Sequence, residues 1–212
     1  MSGKRIAVIG ASSGIGLELT GQALAAGHEV AGLARHPENC GLEHDRLRLV
    51  AGDIRDDRAL GQVCEDCAAV CVCVSVPPGR APVDTFSSGA RVLIPLLERV
   101  GTTRLLVVTG IGAGDSRGHG GWFYDHLLQP LLLKQMYADK DREEALVRQS
   151  SLDWLLVRPG RLTNGRCRGD YRVIGPVQDL KGGAISRADV AHFMLGEIET
   201  PRYHRQAVHL IY

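Results

Sequence analysis

The chain has 212 residues, of which 44% are hydrophobic, enough for one domain of ordinary size with a sizeable core. Its 25 lysines and arginines nearly balance 24 aspartates and glutamates, so no net positive field would attract nucleic acid or an anionic membrane surface. We therefore expect a small-molecule substrate, no nucleic acid and no membrane, and composition leaves the oligomeric state open.

The lengths of the apolar runs indicate whether the chain carries a membrane-spanning helix or a signal peptide. None reaches the roughly 18 uninterrupted apolar residues that a membrane-spanning helix requires. The run within MSGKRIAVIG is too short for a signal peptide. These patterns predict a soluble, cytoplasmic protein in which thiols stay reduced.

Short apolar strands alternate with amphipathic helices through the first half of the chain. We predict strands over 5–10, 28–35, 46–53, 68–76 and 104–110. The helices between them are predicted over 16–27, 56–66 and 84–101. Nearly continuous apolar strands that alternate with helices indicate an α/β fold with a predominantly parallel, doubly wound, Rossmann-like sheet.

The second half has a less regular pattern. A glycine-rich loop over 111–121 precedes two helical stretches that are broken near Pro130. Later elements are predicted as a helix over 131–149, a strand over 152–159, a short strand in 170–175, a helix over 186–198 and a strand over 206–212. We expect one domain over 1–212, with substrate-covering segments at about 111–130 and 160–184.

Four of the six cysteines lie within CEDCAAVCVC, residues 64–73, and raise the question of a metal or redox site. Cys64 and Cys67 form a C-x2-C pair, but a structural zinc site normally needs a second pair at a distance. Cys71 and Cys73 lie two apart in an apolar strand, so they point the same way and behave as small core hydrophobes. We predict no metal site, with a metal or redox cluster as the alternative.

The segment GASSGIG, residues 10–16, follows the first strand and opens the first helix. Gly10 permits a tight turn, Gly14 lets the backbone approach a diphosphate, and Gly16 lets the helix pack closely on the strand. The N–H groups at the start of the helix would bind the phosphates. The pattern predicts a dinucleotide site, and a plain glycine-rich turn is the alternative.

The spacing G-x3-G-x-G resembles that of the short-chain dehydrogenase/reductase superfamily of NAD(P)-dependent enzymes. The resemblance covers nearly the whole chain and is closest to the atypical NAD(P)H-binding branch, which includes biliverdin-IXβ reductase/flavin reductase and NmrA-like regulators. Ser13 stands where that branch usually has its middle glycine, so this turn is nearer to the typical enzymes.

The resemblance implies a nicotinamide cofactor and the residues that hold it. NAD-specific sites usually place an acid at the end of the second strand, whereas Arg35 and His36 offer partners for a 2′-phosphate, so NADP(H) is preferred over NAD(H). Asp53 and Ile54 resemble the family's pair at the adenine. The full predicted set is Gly10, Ser12, Ser13, Gly14, Ile15, Gly16, Arg35, His36, Asp53, Ile54, Ser75, Val76, Thr109, Lys140, Pro159 and Gly160.

The family's catalytic Ser, Tyr and Lys are only partly present. Lys140 occupies the place of the lysine, Met136 stands where the tyrosine is expected, and Gly110 matches the serine. Thr109 is the nearest hydroxyl to the serine position, and Tyr137 shares a helix face with Lys140. The candidate catalytic residues are therefore Lys140, Thr109 and Tyr137, with a packing role as the alternative for Tyr137.

Candidate substrate contacts lie in and just after the glycine-rich loop and at the end of the predicted strand 152–159. Ser116 and His119 are polar groups near the expected pocket, and Trp122 and Phe123 would supply an apolar wall or pack the loop onto the body. VRPG, residues 157–160, resembles the segment beside the nicotinamide. Within it, Arg158 contacts the cofactor or a substrate carboxylate, or else forms an ion pair with a neighbouring carboxylate.

The missing serine and tyrosine argue against ordinary carbonyl reduction more than against oxidoreduction. A conjugated acceptor such as a flavin or quinone needs chiefly to be stacked on the hydride donor, while water supplies the proton. We predict an NADPH-dependent reductase of a flavin- or quinone-like molecule. The alternatives are a non-catalytic NADP(H) sensor of NmrA type and a nucleotide-sugar-type epimerase.

Overall fold

A central sheet of eight strands organises the part of the chain that the computed structural model describes, which is residues 3–116, 133–175 and 182–212. The strands are β1 Arg5–Ile9, β2 Glu29–Ala34, β3 Leu47–Ala51, β4 Ala69–Val72, β5 Arg104–Val108, β6 Asp153–Pro159, β7 Arg161–Thr163, β8 Arg172–Ile174, β9 Ala184–Ser186 and β10 Gln206–Ile211. The helices are α1 Gly14–Ala25, α2 Asp57–Cys64, α3 Thr85–Val100, α4 Lys134–Gln149 and α5 Arg187–Glu199.

The strand order is β3-β2-β1-β4-β5-β6-β10-β8. All neighbours in this sheet are parallel except β8, which runs antiparallel to β10. The chain moves outward from β1 in one direction through β2 and β3, and in the other through β4 and β5. The predicted doubly wound α/β fold is confirmed, and its order reverses between β1 and β4, where ligands bind in such sheets.

Apolar layers cover both faces of the sheet. On one face, Leu19 of α1 and Phe193 of α5 pack against Val8, and on the other, Leu97 of α3 packs with Ile9. Successive β1 residues thus enter opposite layers, as the two-residue period of a strand requires. Helices on both faces explain why the strands are apolar throughout rather than alternating.

The four clustered cysteines belong to these layers. Cys71 and Cys73 pack in the α1/α5 layer, so the prediction that they point the same way is confirmed, and Cys64 and Cys67 lie in the opposite layer. Burial raises the pKa of Cys64 to about 12, of Cys67 to about 11 and of Cys73 to about 12. Across the described ranges, no cluster of three or more His, Cys, Asp or Glu side chains could hold a metal ion.

The element boundaries agree with the sequence pattern except in two places. β4 ends at Val72 rather than at residue 76, since after Cys73 donates its N–H to the Ile9 carbonyl the chain leaves the sheet. The span 160–184, expected to be mostly irregular, contains β7, which pairs in parallel with β9. The predicted strand in 170–175 is present as β8. The helical stretch before Pro130 lies outside the described residues.

The start of α5 is fixed by Ser186 and Asp189, which lie three residues apart in capping spacing. The Ser186 hydroxyl accepts a hydrogen bond from the Asp189 N–H at 2.9 Å and donates one to its carboxylate at 2.8 Å. The same carboxylate accepts from the Tyr212 hydroxyl and from the N–H groups of Arg168 and Gly169. Asp189 therefore joins helix α5, the loop after β7 and the end of the chain.

No helix among the residues described is long and apolar enough to cross a membrane.

Candidate functional site

The glycine turn lies where the strand order reverses and has no room for side chains. Gly10 has φ +94°, and a Cβ there would lie 2.9 Å from the Cys73 carbonyl oxygen. A Cβ at Gly16 would collide with the Gly10 carbonyl oxygen. Because α1 begins at Gly14, its free N–H groups face the space in front of the turn. This bare cradle fits the diphosphate of a dinucleotide.

A cleft of about 290 Å³ extends from the turn along the carboxyl ends of β1, β2 and β4. Of the predicted cofactor residues, those that line it are Gly10, Ser12, Ser13, Arg35, His36, Asp53, Ile54, Ser75 and Val76. Three further polar residues line it that the sequence pattern did not single out, namely Asn39, Arg55 and Thr85. The structure thus brings the two ends of the predicted nucleotide site together in one groove.

Asp53 is held by its neighbour Arg55. The Arg55 Nε donates to Asp53 Oδ1 at 2.7 Å, and the backbone N–H of Arg55 donates to the same oxygen at 3.0 Å. The side-chain hydrogen bond from Arg55 is the main cause that lowers the pKa of Asp53, although partial burial opposes it. Asp53 therefore stays a charged acceptor at the edge of the cleft. Arg35 is exposed in the same cleft, and its charge also contributes to lowering the pKa of Asp53.

A second cavity of about 990 Å³ continues from the cleft. The two spaces share Ser13, Cys73, Val74 and Ser75, so they form one continuous groove. The walls of the larger cavity are mainly apolar and include Ile15, Phe86, Ile111, Leu133, Met136 and Leu162. Its volume lies at the upper end of the range for small-molecule sites. It can accept the nicotinamide end of a dinucleotide together with a second flat molecule.

Lys140 lines this cavity, but its ammonium group is already engaged. Its Nζ donates to the Val108 carbonyl and to a Glu143 carboxylate oxygen, both at 2.9 Å, and lies 3.7 Å from the centre of the Phe86 ring. Burial raises the pKa of Glu143, and the Lys140 charge opposes that rise. Asp139 accepts the N–H of Phe86 at 2.8 Å, which fixes the ring over the ammonium. Lys140 is thus rigidly positioned at the cavity wall.

Tyr137 also lines the cavity, beside the position of the missing serine. Its hydroxyl donates to the Ile111 carbonyl at 3.0 Å and lies 3.0 Å from where a Cβ at Gly110 would stand. The phenol therefore occupies the space that a side chain at 110 would need. Thr109 lines the same wall, but its hydroxyl donates to Glu144 at 2.8 Å.

Arg158 does not line either space. It is fully buried, and its Nε and Nη2 donate to the two carboxylate oxygens of Glu144, at 3.0 and 2.5 Å. Its Nη1 lies 3.4 Å from Nε2 of His209. The interpretation of Arg158 as a cofactor or substrate contact is therefore wrong, and the alternative of an ion pair is correct. The forked guanidinium matches a carboxylate with two parallel hydrogen bonds.

The other predicted pocket residues have different outcomes. Pro159 and Gly160 line the large cavity, next to where β6 ends. Ser116 is fully buried and holds its own loop, because its hydroxyl donates to the Ala113 carbonyl and accepts from the Gly112 N–H. It is not a cavity residue, contrary to the prediction. His119, Trp122 and Phe123 lie outside the described residues.

Residues 10–201 match the family described as NAD(P)H-binding. The chain belongs to this family. Among curated relatives, uncharacterized proteins of Mycobacterium bovis and Mycobacterium tuberculosis are 34% identical over 155 residues, which is 73% of this chain and 14% of theirs. The chain thus spans about one seventh of the length of the curated relatives it matches.

Several solved structures superpose on nearly the whole chain. An anaerobillin reductase of Escherichia coli O157:H7 has a TM-score of 0.79 at 24% identity and covers 98% of this chain and 96% of its own. A short-chain dehydrogenase/reductase of Veillonella parvula in complex with NADP has a TM-score of 0.82 at 17% identity, with 99% and 94% covered. A putative epimerase of Bacteroides thetaiotaomicron has a TM-score of 0.79 at 25% identity, and the match covers 100% of this chain and 98% of the epimerase. These structures share the fold of the chain, and the family match confirms the expected resemblance to NAD(P)H-binding proteins.

Two arginines of the NAD(P)H-binding chain lie at the cavity although no motif pointed to them. Arg161 begins β7 and Arg187 begins α5, and both line the large cavity. Their position depends on the β7–β9 pairing, which the sequence pattern did not predict. Arg187 is part of a helix-capping sequence, so its local pattern indicates only the start of a helix.

Proposed function

We propose that the protein is an NADPH-dependent reductase of a conjugated small molecule, flavin- or quinone-like in character. The observation that carries this proposal is the continuous groove, in which the apolar cavity of about 990 Å³ shares four residues with the nucleotide cleft. A flat acceptor in this cavity would lie against the nicotinamide end of the cofactor. When bound, NADPH supplies the hydride for such a reduction.

The cleft residues support NADPH in particular. Arg35 and His36 stand at the carboxyl end of β2, where an NAD site would usually carry an acid. Arg35 is exposed, and among the described residues its guanidinium forms no ion pair, although its charge acts on Asp53 across the cleft, so it is available to a 2′-phosphate. The bare turn at Gly10 and Gly16 would receive the diphosphate, and Asp53 would accept a hydrogen bond at the adenine.

The engaged side chains of the cavity support a conjugated acceptor over a simple carbonyl. The Tyr137 hydroxyl donates to a backbone carbonyl, the Thr109 hydroxyl to Glu144, and the Lys140 ammonium to Val108 and Glu143. Carbonyl reduction requires a proton at the developing alkoxide, and none of these groups is free to donate one without rearrangement. Reduction of a flavin- or quinone-like ring depends more on stacking geometry, and water supplies the proton.

The same engagement favours one second candidate, a cofactor sensor of NmrA type. Lys140 makes two hydrogen bonds within the protein and contacts the Phe86 ring, so its described contacts are complete without a substrate. A sensor needs to bind the cofactor tightly and turn nothing over. The large apolar cavity beside the cleft is the feature that this candidate leaves without a use.

The test combines binding with turnover. Cofactor binding is measured by NADPH fluorescence, and turnover by loss of NADPH absorbance with FMN, riboflavin, quinones, biliverdin and simple aldehydes, each repeated with NADH. We expect turnover of conjugated acceptors and little of aldehydes. A Met136→Arg variant, which places a charge in the cavity wall, should lose turnover and keep binding. Tight NADPH binding with no turnover of any acceptor would instead favour the sensor.

A further inference from the structure

The large cavity is apolar but carries one sign of charge. Its described lining includes three cationic side chains, Lys140, Arg161 and Arg187, and no aspartate or glutamate. Lys140 is neutralised by Glu143 at 2.9 Å. Arg161 and Arg187 have no carboxylate partner within the described ranges, so no described side chain compensates their positive charge. A cavity of this kind is complementary to a flat apolar molecule that bears an anionic group.

Arg187 is placed over the glycine turn. Its Nε and Cδ lie 3.8 and 3.9 Å from the position of a Cβ at Gly14, the first residue of α1. Its Nη1 donates to the Asn164 Oδ1 at 2.6 Å, which holds the guanidinium in this position. An anion bound at the N-terminus of α1 would therefore meet the N–H groups of the helix and this side chain together.

Arg161 lies farther along the same edge. In the β7–β9 ladder, Arg161 pairs with Ala184 and Thr163 with Ser186, so Arg187 follows beside Asn164. Three residues of extended chain separate positions 161 and 164, which corresponds to roughly 10 Å. One anionic group at Arg187 and another at Arg161 therefore need not compete for the same guanidinium. Arg161 is exposed, and its backbone N–H is already bonded to Gly183.

We propose that the substrate carries a carboxylate or phosphate on its conjugated body, that Arg161 binds this anionic group, and that Arg187 binds the diphosphate of the cofactor. This inference rests on the proposed function, because it assumes that the cavity holds the substrate beside the cofactor. Arg161 then favours acceptors that carry an anionic group. Arg187 contributes to cofactor binding, so its effect on the rate is the same for every acceptor. Carboxylate and phosphate share the planar, two-pronged recognition that a guanidinium offers.

The test uses acceptors that share a ring system and differ in charge. FMN and riboflavin differ by a phosphate, and biliverdin and its dimethyl ester differ by two carboxylates. In Arg161→Gln we expect kcat/KM to fall about fivefold for the anionic member of at least one pair and by less than about twofold for the neutral member. The pair that responds identifies phosphate or carboxylate as the recognised group. The difference should shrink at high ionic strength.

Two variants serve as controls. Arg187→Gln should raise the dissociation constant for NADPH and lower kcat/KM for charged and neutral acceptors by the same factor. Arg172→Gln, an exposed arginine of β8 outside the described cavity lining, should change neither. Equal losses for both members of each pair in Arg161→Gln, or no loss at all, would overturn the proposal.

Binding separates this proposal from the proposed function. Flavin fluorescence measures binding of FMN and riboflavin directly, with saturating NADP⁺ present so that the nucleotide cleft is occupied. If FMN binds more tightly than riboflavin, and Arg161→Gln removes that preference, the anion site stands even if no acceptor is turned over. If acceptors are turned over and charge makes no difference to binding or rate, the reductase stands and the anion site is wrong.

Discussion

The hydroxyl of Tyr137 lies 3.0 Å from the place where a Cβ at Gly110 would stand. The phenol therefore occupies space that a serine side chain at position 110 would need. The glycine at the expected serine position and the tyrosine at 137 instead of 136 therefore pack against each other. Tyr137 comes from α4 and Gly110 follows β5, and the hydroxyl is fixed by the Ile111 carbonyl. Restoring the serine alone therefore cannot restore the usual site.

Gly110→Ser is expected to destabilise the protein by about 1–3 kcal/mol. Residue 110 has φ +145°, which side chains rarely adopt, and the new Cβ would press on the Tyr137 hydroxyl. Tyr137→Phe in the same chain should recover part of the loss, because it removes the nearest atom. Urea unfolding measures the difference. Gly169→Ser is the control. Gly169 also has a positive φ, +71°, but has open space where a Cβ would stand, so this variant measures the cost of the positive φ alone.

Breaking the buried Arg158–Glu144 pair is expected to cost about 3–5 kcal/mol of unfolding free energy, because the remaining buried charge loses its two hydrogen bonds to the opposite charge. Arg158→Met and Glu144→Gln should each show this loss. The double variant should lose less than the sum of the two, since neither charge then remains. Denaturant unfolding gives the values, and a weaker NADPH affinity in folded Arg158→Met with unchanged stability would restore the cofactor-contact interpretation.

Asp189 is expected to make stability fall in acid. Burial alone would raise its pKa, but hydrogen bonds from Tyr212, Gly169, Ser186 and Arg168 outweigh burial and lower it to about 2. Because the folded pKa is below the unfolded value, this stabilisation is complete above about pH 4 and is lost as pH falls towards 2.

The check is a comparison of the protein with Asp189→Asn by urea unfolding between pH 6 and pH 2. The stability difference should be largest at pH 6 and should decrease by about 1–2 kcal/mol on acidification. If the difference in unfolding free energy between the two proteins is constant with pH, the negative charge of Asp189 does not contribute to stability.

Arg35→Gln is expected to weaken NADPH binding about tenfold and to leave NADH binding unchanged, since only NADPH carries the 2′-phosphate. Fluorescence titration with each cofactor measures both constants. Arg48→Gln is the matched control, because Arg48 is exposed on β3 and does not line the described cleft. Equal weakening of both cofactors in Arg35→Gln would contradict the predicted preference for NADP(H).

Local patterns in the sequence were sufficient to predict most of the fold and to propose where a nucleotide would bind. Apolar strands followed by helical periods determine the parallel sheet, since each element must bury its own apolar face. The turn at 10–16 could be read directly because every requirement of a dinucleotide turn lies within seven consecutive residues. The capping of α5 is local in the same way, because Ser186 and Asp189 are three residues apart.

The lining of the large cavity was decided only by tertiary structure. Arg158 and Glu144 are 14 residues apart, Tyr137 and Gly110 are 27 apart, and Arg187 and Gly14 are 173 apart; each pair meets because strands and helices pack. The sequence determined which residue types were present, but whether an arginine is buried in an ion pair or lines a cavity depends on the partner that packing brings to it. Arg158 and Arg161 show this, because they are three residues apart and have opposite environments.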